Sequence, residues 1–588
     1  MLEIRSCKGH LIWGTGPALR IAAVASVGAI AALRYRSFLL PMTRIEAIQA
    51  AEYAFIILAS IALIAAYAGF AERLRLHRFL GLPWLIIPAA ALLAAGVYKL
   101  GMHQFGGWDE GLLVHAATYY AQGFRPILDF PCAMPPLFMT GARCIALLGL
   151  KWTSFTMLAA VFTALTTLWM FVLLRAAGLP RHWGLVVTLC AEASTMLVTP
   201  FWWFNNSSAV SVVLLFLSVL SCLQLPRRVL PWMSVSLSLA MVVASKPNDL
   251  PAALLMLVLL ATKDRWQWVK TLLACAGALG IFLLICRAAQ MPLLQLLHSY
   301  AEIGKLRGSP LQLLPLTELP WPERDFQIIF ILAAVLCFSA IFVVSVKHKP
   351  SHWPILGACA IAGLTAIEMT CTNSEIKTSD LCVMLAASAI LCLRPWETQE
   401  VSARRKTLLA GWLSVFLVMS VFFAVIHVRI LLIGEGAFFE PFPTATIDGG
   451  FFSGLEAGPR LQSVLQQTSH ALSSYPSQKV FFGPRMEVMY AEFNRSVTPE
   501  MPLLWDPGNL YSPARLPRLL LAFQQDDPDL LIFLKEDYTR MGLVAFYIRN
   551  TATYQRIDTY RELTVYVRKR EVPITYIRVP EPSLAPPQ

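Results

Sequence analysis

The sequence predicts a polytopic α-helical membrane protein that carries a smaller water-soluble α/β domain at its C-terminal end. The first observation is composition: 57% of the 588 residues are hydrophobic and only 14% are charged, whereas soluble proteins average about 25% charged residues. The second is the length of the apolar runs, because a span needs about 20 apolar residues and the chain offers roughly eleven to thirteen such runs. The third is a change near residue 435, after which long apolar runs stop and polar residues, Pro and Gly become frequent.

The chain is expected to divide into three segments. Residues 1–48 form an N-terminal segment with a weak apolar run at 21–33, and whether this run spans the bilayer stays open. Residues 49–434 form the transmembrane part, with a first outer loop at 101–151. Residues 435–588 form the α/β domain.

Short strands and helices are predicted to alternate in the C-terminal domain. Buried strands are expected at 479–482 and 530–534, and a later strand that alternates with charges at 563–567. Helices are expected at 454–473 and 542–549. This order is typical of a small α/β layer.

The basic residues predict the orientation. Lys and Arg collect in short connections beside the apolar runs, which places these connections on the cytoplasmic side. The loops 101–151, 290–325 and 372–380 and the C-terminal domain then face outside. The net charge of +12 has the same origin, so it does not indicate a nucleic-acid partner. The 12 Cys residues show no disulfide or metal spacing.

Two adjacent carboxylates, Asp109 and Glu110, follow the apolar run 79–100. They begin a segment that is predicted to form an amphipathic helix at the membrane interface. Neighbouring residues of a helix point about 100° apart, so this pair cannot share one proton and its members have different roles. The alternative is a structural helix start, with Asp109 as the N-cap and Glu110 favourable to the helix dipole. The two roles can coexist.

The rest of this loop contains a turn with Gly123, Pro126 and Asp129, and then the pair Pro135-Pro136. In this order the loop resembles the first extracytoplasmic loop of the GT-C superfamily of polytopic glycosyltransferases. That superfamily includes the protein O-mannosyltransferases and the aminoarabinose–lipid A transferase. The basic residue that relatives often carry before Pro-Pro is replaced by Met134.

The resemblance implies a glycosyltransferase that moves a sugar, with inversion, from a polyprenyl-phosphate donor to a lipid, glycan or protein acceptor. Asp109 would be the general base, and Glu110 would orient it or contact the acceptor. The enzyme would lie in a bacterial inner membrane, with its active site and C-terminal domain outside the cytoplasm. No cofactor is required, and a divalent cation held by carboxylates stays an alternative.

Asp129 and several basic residues are the candidates for binding substrate. By the resemblance, Lys246 and the outer-loop residues His298, Lys305 and Arg307 would hold the donor phosphate. The alternatives are that Lys246 reaches the surface or pairs with Asp249, and that the outer-loop residues form a solvated helix face.

Three other features have structural alternatives. The aromatic run 201–204 is expected to form part of an aromatic belt, and sugar stacking is the functional alternative. Glu192 and Glu368 lie inside apolar runs, where ionisable residues are functional hypotheses. Packing against a Ser, Thr or Lys of another helix is the other interpretation of both.

Two competing functional classes remain. A transporter or flippase of lipid-linked sugars would place its charges near the midplane between internal repeats, whereas Asp109 and Glu110 lie in an interfacial loop and no repeat is evident. A non-catalytic scaffold would keep the fold and tolerate the substitution Asp109→Asn.

Overall fold

The computed structural model describes residues 82–307, 353–372, 380–393, 445–503, 516–535 and 554–569, apart from gaps of one to three residues inside these ranges. The predictions for 1–48, for the helix at 542–549 and for most of the loop 372–380 lie outside the described residues.

The membrane part consists of helices joined by short connections. In chain order they are α1 (Ile86–Gly101), α2 (Asp109–Ala121), α3 (Pro136–Leu147), α4 (Trp152–Ala176), α5 (Arg181–Glu192), α6 (Phe204–Gln224), α7 (Val229–Ser245), α8 (Leu250–Ala261), α9 (Arg265–Ala288), α10 (Leu293–Arg307), α11 (Trp353–Thr372) and α12 (Asp380–Leu393). A π-helix, Ala193–Leu197, continues α5, and a 3₁₀ turn, Pro247–Asp249, joins α7 to α8.

Three of the described helices, α4, α6 and α9, are long and apolar enough to cross a membrane. Shorter apolar helices surround them, among them α1, α7 and α11. The architecture is therefore the helical membrane fold that the sequence predicts. The count of roughly eleven to thirteen spans includes runs outside the described residues.

Helix α6 lies at the centre of the bundle and α9 at its edge. Every residue of α6 from Asn205 to Leu223 is buried, and none of them is charged, as expected for a central helix that other helices surround. In contrast, α9 exposes Leu272, Leu273 and Leu284 by more than half of their surface. Leucines exposed in this way form the surface that a membrane helix presents to lipid tails.

The C-terminal region contains a four-stranded sheet in the order β3-β4-β6-β5. The elements are β1 (Ala445–Thr446), β2 (Glu456–Ala457), α13 (Pro459–Ser474), β3 (Val480–Phe482), α14 (Val488–Glu492), α15 (Leu516–Asp526), β4 (Leu530–Leu534), β5 (Tyr554–Ile557) and β6 (Leu563–Arg568). Strands β3 and β4 are parallel, and the other pairs in this sheet are antiparallel. The strands predicted at 479–482, 530–534 and 563–567 are thus confirmed. The helix predicted at 454–473 is confirmed from Pro459 onward as α13, but its predicted first turn is wrong, because Glu456 and Ala457 pair as β2.

A single hydrophobic core joins the C-terminal region to the first outer loop. It contains Leu113 and Phe130 from the loop together with Phe452, Leu461 and Ile532 from the C-terminal region. The loop and the strands therefore stabilise each other. The predicted domain boundary at residue 435 lies outside the described residues and stays a prediction.

Hydrogen bonds fix the same contact. The side chain of Gln122 donates to the carbonyl of Arg495 (2.8 Å) and accepts from the backbone N–H of Val497 (3.0 Å). The backbone N–H of Trp152 donates to the carbonyl of Phe451 (2.9 Å). The C-terminal region is therefore held in one position over the loop.

Candidate active site

Asp109 and Glu110 are the first two residues of α2. Both are half-buried. The partial positive charge at the start of a helix favours carboxylates there, which is why this sequence begins the helix with its acidic pair. The helix start therefore holds both carboxylates in fixed directions.

Helix α2 is enclosed on all sides. Every residue from Gly111 to Tyr119 is buried, because α3 packs against one side and α14 of the C-terminal region against another. The expected amphipathic face, which includes Leu113 and Ala117, accounts for only part of this burial. The carboxylate pair thus starts a helix that lies inside the protein.

His115 lies in the contact between α2 and α14, and no sequence pattern marked it as a site residue. Its ring stacks on Tyr490, with centroids 5.7 Å apart, and lies 4.7 Å from the ring of Tyr119. Burial disfavours the charged imidazolium and lowers the pKa of His115 to about 3. The neutral ring is therefore a packing group at physiological pH.

Asp129 closes the turn that follows α2. Its carboxylate accepts hydrogen bonds from the backbone N–H of Arg125 (2.7 Å) and from the Arg125 guanidinium (3.0 Å). The hydrogen bond to the guanidinium lowers the pKa of Asp129 below its usual value. In the same turn Ile127 has a φ of 71°, which is an unfavourable conformation for a β-branched residue. The turn is thus held by the ion pair against local strain.

A cavity of about 460 Å³ opens beside this turn. It is lined by the turn, by α10 and by two C-terminal residues, namely Ile127, Leu128, Asp129, Phe130, Pro131, Cys132, Leu294, Gln295, His298, Ser299, Glu302, Glu500 and Arg518. The hydroxyl of Ser299 donates to the carbonyl of Cys132 (3.1 Å) and fixes α10 to the turn. The structure thus brings together two predicted site residues, Asp129 and His298.

Three carboxylates line this cavity. Asp129, Glu302 and Glu500 line it, whereas Arg518 is the guanidinium among the lining residues and pairs with Glu500 at 3.2 Å. Asp129 is likewise paired with the Arg125 guanidinium, so the charges of two of the three carboxylates are compensated. The sequence analysis did not identify Glu500 and Arg518, because they come from the distant C-terminal region.

The cavity and the carboxylate pair lie at opposite ends of α2. Tyr119 stacks on Phe130 with ring centroids 4.1 Å apart, and Phe130 lines the cavity. At a rise of 1.5 Å per residue, Asp109 lies roughly 15 Å from Tyr119 along the helix. Asp109 and Glu110 are therefore not part of the cavity that holds Asp129 and His298.

Lys246 ends α7 and belongs to a different cluster. The hydroxyl of Ser208 donates a hydrogen bond to Asp249. The same carboxyl interacts electrostatically with Lys246 and hydrogen-bonds with Glu368. Asp249 is 1% exposed and Lys246 is half-buried. The cluster therefore supports the alternative that Lys246 pairs with Asp249, and it leaves part of the Lys246 side chain accessible. Glu368 hydrogen-bonds with Asp249, which is a carboxyl and not the Ser, Thr or Lys that one interpretation expected.

The remaining candidates are described only in part. Lys305 and Arg307 lie in the last turn of α10, and nothing is described of their side chains. Within the described ranges, no group of three or more His, Cys, Asp and Glu side chains is placed to hold a metal ion.

The aromatic run at 201–204 is packed inside the protein. Phe201 and Trp203 are 5% and 4% exposed. Trp203 makes an edge contact with Phe138 of α3, with ring centroids 5.5 Å apart. Phe201 and Trp203 are thus covered, whereas Trp202 and Phe204 are half-buried; the aromatic belt and the sugar-stacking role stay predictions.

No protein-family model matches the chain, and a search of curated proteins finds no match. Among solved structures, the chain is similar to the crystal structure of ArnT from Cupriavidus metallidurans bound to undecaprenyl phosphate. The identity is 13% and the TM-score is 0.47, over 84% of this chain and 99% of that chain. ArnT is a GT-C aminoarabinose transferase, a member of the superfamily that the first outer loop resembles. A likeness of this degree assigns the chain neither an activity nor a substrate.

Proposed function

We propose that the protein is a membrane glycosyltransferase of the GT-C type, which transfers a sugar from a polyprenyl-phosphate donor to an acceptor outside the cytoplasm. The observation that carries the proposal is the carboxylate pair at the start of the enclosed helix α2. This pair lies in a loop that joins the apolar helices and shares one core with the C-terminal region. A lipid-linked donor and a polar acceptor can meet at this position, because it lies between the apolar helices and the water-soluble C-terminal region.

Asp109 would act as the general base. The acceptor hydroxyl gives its proton to Asp109 while its oxygen attacks the anomeric carbon from the side opposite the phosphate. The bond between that carbon and the phosphate oxygen breaks, and the lipid phosphate leaves with the electron pair. The sugar is transferred with inversion. Glu110 points about 100° away from Asp109 and would orient the acceptor.

Lys246 would hold the leaving phosphate. Negative charge that develops on a leaving group is stabilised by a fixed cation. Asp249, which accepts a hydrogen bond from Ser208, interacts electrostatically with this lysine at the end of α7. Lys305 and Arg307 stay further candidates for the same role.

The cavity beside Asp129 would take part of the acceptor. Its volume of about 460 Å³ lies in the usual range for small-ligand sites. Carboxylates, His298 and Gln295 offer hydrogen bonds to hydroxyl groups. Because the cavity lies roughly 15 Å along α2 from Asp109, it suits a portion of the acceptor that is remote from the attacking hydroxyl.

The test uses purified protein in nanodiscs with a panel of radiolabelled polyprenyl-phosphate sugars. The proposal predicts release of the sugar to water or its transfer to an added acceptor, for at least one donor of the panel. Glu500→Gln is expected to leave the release to water unchanged and to raise the KM for the acceptor. If no donor binds or turns over, the result favours the hypothesis of a transporter or of a non-catalytic scaffold.

A further inference from the structure

Glu192 is a buried carboxyl that the proposed reaction does not use. It ends α5 and has no exposed surface. The side chain of Thr166 in α4 lies beside it. Since α4 spans Trp152–Ala176, Thr166 lies roughly 21 Å from one end of this helix and roughly 15 Å from the other. The carboxyl is therefore near the middle of the membrane part.

The hydroxyl groups around this carboxyl are already used by the helix backbones. Thr166 donates to the carbonyl of Phe162 at 2.9 Å. Thr195 donates to the carbonyl of Ala191 at 2.5 Å. As a result, neither carboxyl oxygen of Glu192 makes a hydrogen bond of good geometry with the described residues, and the Thr166 hydroxyl offers at most a proton that it shares with the carbonyl of Phe162.

The cations of the helices packed against α5 are distant from the Glu192 carboxyl or bound to other groups. The described elements that pack against α5 are α1, α4, α12 and the π-helix. Their charged residues are Lys99, Arg175 and Asp380, and α5 itself carries Arg181 and His182; the neutral titratable groups are Tyr98, Cys190, Cys382 and Cys392.

Neither of the two cations on the neighbouring helices α1 and α4 reaches the carboxyl. Lys99 pairs with Glu456 at 2.6 Å. Arg175 donates to the carbonyl of Leu179 and lies roughly 14 Å along α4 from Thr166. On α5 itself, Arg181 and His182 form the opposite end of the helix. Glu192 thus has no cation of these elements beside it.

An isolated carboxylate in an apolar interior is far more costly than the neutral acid, because nothing replaces its hydration. The side chain therefore avoids the charge by keeping its proton. This conclusion follows from burial and from the missing partners together.

The backbone marks the same position independently. The π-helix Ala193–Leu197 begins at the residue after Glu192. Such turns are rare within α-helices and occur frequently at functional sites.

We infer that Glu192 is a proton-binding site in the middle of the membrane part, and that its carboxyl remains protonated at neutral pH. The site is separate from the proposed transfer site and does not depend on it. An acid of this kind reacts with a carbodiimide that dissolves in lipid. The O–H adds across one C=N bond, and the acyl group then moves from oxygen to nitrogen. The product is a stable N-acylurea, and no group leaves.

The experiment treats the protein in nanodiscs at pH 7 with dicyclohexylcarbodiimide and locates the adduct by peptide mass spectrometry. We expect the adduct on Glu192 and a labelling rate that falls at alkaline pH. A water-soluble carbodiimide with an added amine should leave Glu192 unmodified, because the residue is not exposed to water. The variant Glu192→Gln should form no adduct at this position. The control variant Glu456→Gln, which removes a partly exposed carboxyl, should still form the adduct on Glu192.

Three results would overturn the inference. The first is no adduct on Glu192 although its peptide is detected. The second is modification of Glu192 by the water-soluble reagent. The third is a clear fall in the melting temperature of Glu192→Gln at pH 7. Gln imitates the neutral acid, so this variant should keep the melting temperature of the parent protein. A fall would mean that the native carboxyl is charged. None of these results bears on sugar transfer, so the proposed function is tested separately.

Discussion

The division of roles between Asp109 and Glu110 follows from their place in α2. Adjacent residues at a helix start point in different directions, so one carboxylate can face the reacting hydroxyl while the other contacts the acceptor. Their acidic character and their position at the helix start were predictable from sequence. The enclosure of the helix was not, because the side that α14 covers depends on residues that lie almost 400 positions later.

Lys246 gives a prediction at the same scale. Replacing it with Ala should weaken the binding of the polyprenyl phosphate by roughly 10- to 100-fold, because a hydrogen bond to a charged group contributes about 1.5–3 kcal/mol. Binding is measured by native mass spectrometry in nanodiscs. The control is Lys151→Ala, which changes an exposed lysine of the first outer loop. Equal binding by the Lys246 variant and the parent protein would remove Lys246 from the phosphate site.

At the scale of elements, the contact between α2 and the C-terminal region determines how the site is held. Tyr119 is fully buried, and its hydroxyl donates to the carbonyls of Thr498 (3.0 Å) and Met501 (3.3 Å). Tyr119→Phe removes the donor and leaves these buried carbonyls without it. We expect a loss of about 1 kcal/mol in the free energy of unfolding, measured by denaturant titration. An unchanged stability would show that water replaces the lost hydroxyl.

A second element-scale prediction concerns the end of α1. Glu456 accepts from Lys99 (2.6 Å) and contacts His103 (2.5 Å), and the hydrogen bond from Lys99, followed by that from His103, lowers the pKa of Glu456 below its ordinary value of 4.5. A carboxyl with a lowered pKa stabilises the folded state above its ordinary pKa and loses this contribution as the pH falls. The melting temperatures of the parent protein and Glu456→Gln should therefore differ at pH 7 and converge toward pH 3. A difference that is constant with pH would contradict the role of this ion pair.

The elements also show where sequence patterns suffice. Strands β3, β4 and β6 were predictable because their apolar runs are short and bounded by turn residues. Strand β5 was missed, since its Gln555 and Arg556 are exposed and give no apolar signal. The cavity could not be predicted at all, because Asp129, His298 and Glu500 meet only through tertiary packing.

At the scale of the whole molecule, the first outer loop and the C-terminal region form one packed unit. Phe105 and Phe452 are in edge contact with ring centroids 5.0 Å apart, and the shared core extends to the sheet. Regions that share a core open together. Amide hydrogen exchange should therefore protect α2 to the same degree as β4. Fast exchange in α2 beside a protected β4 would mean that the two fold separately.

The central claim is that Asp109 removes the acceptor proton, and one measurement tests it directly. Asp109→Asn keeps the size of the side chain and removes the base, so turnover of a bound polyprenyl-phosphate sugar should fall by about 10²–10⁴-fold while the lipid still binds. Asp448→Asn, which changes an exposed carboxylate of the C-terminal region, should keep the full rate. Full transfer activity in Asp109→Asn would contradict the account.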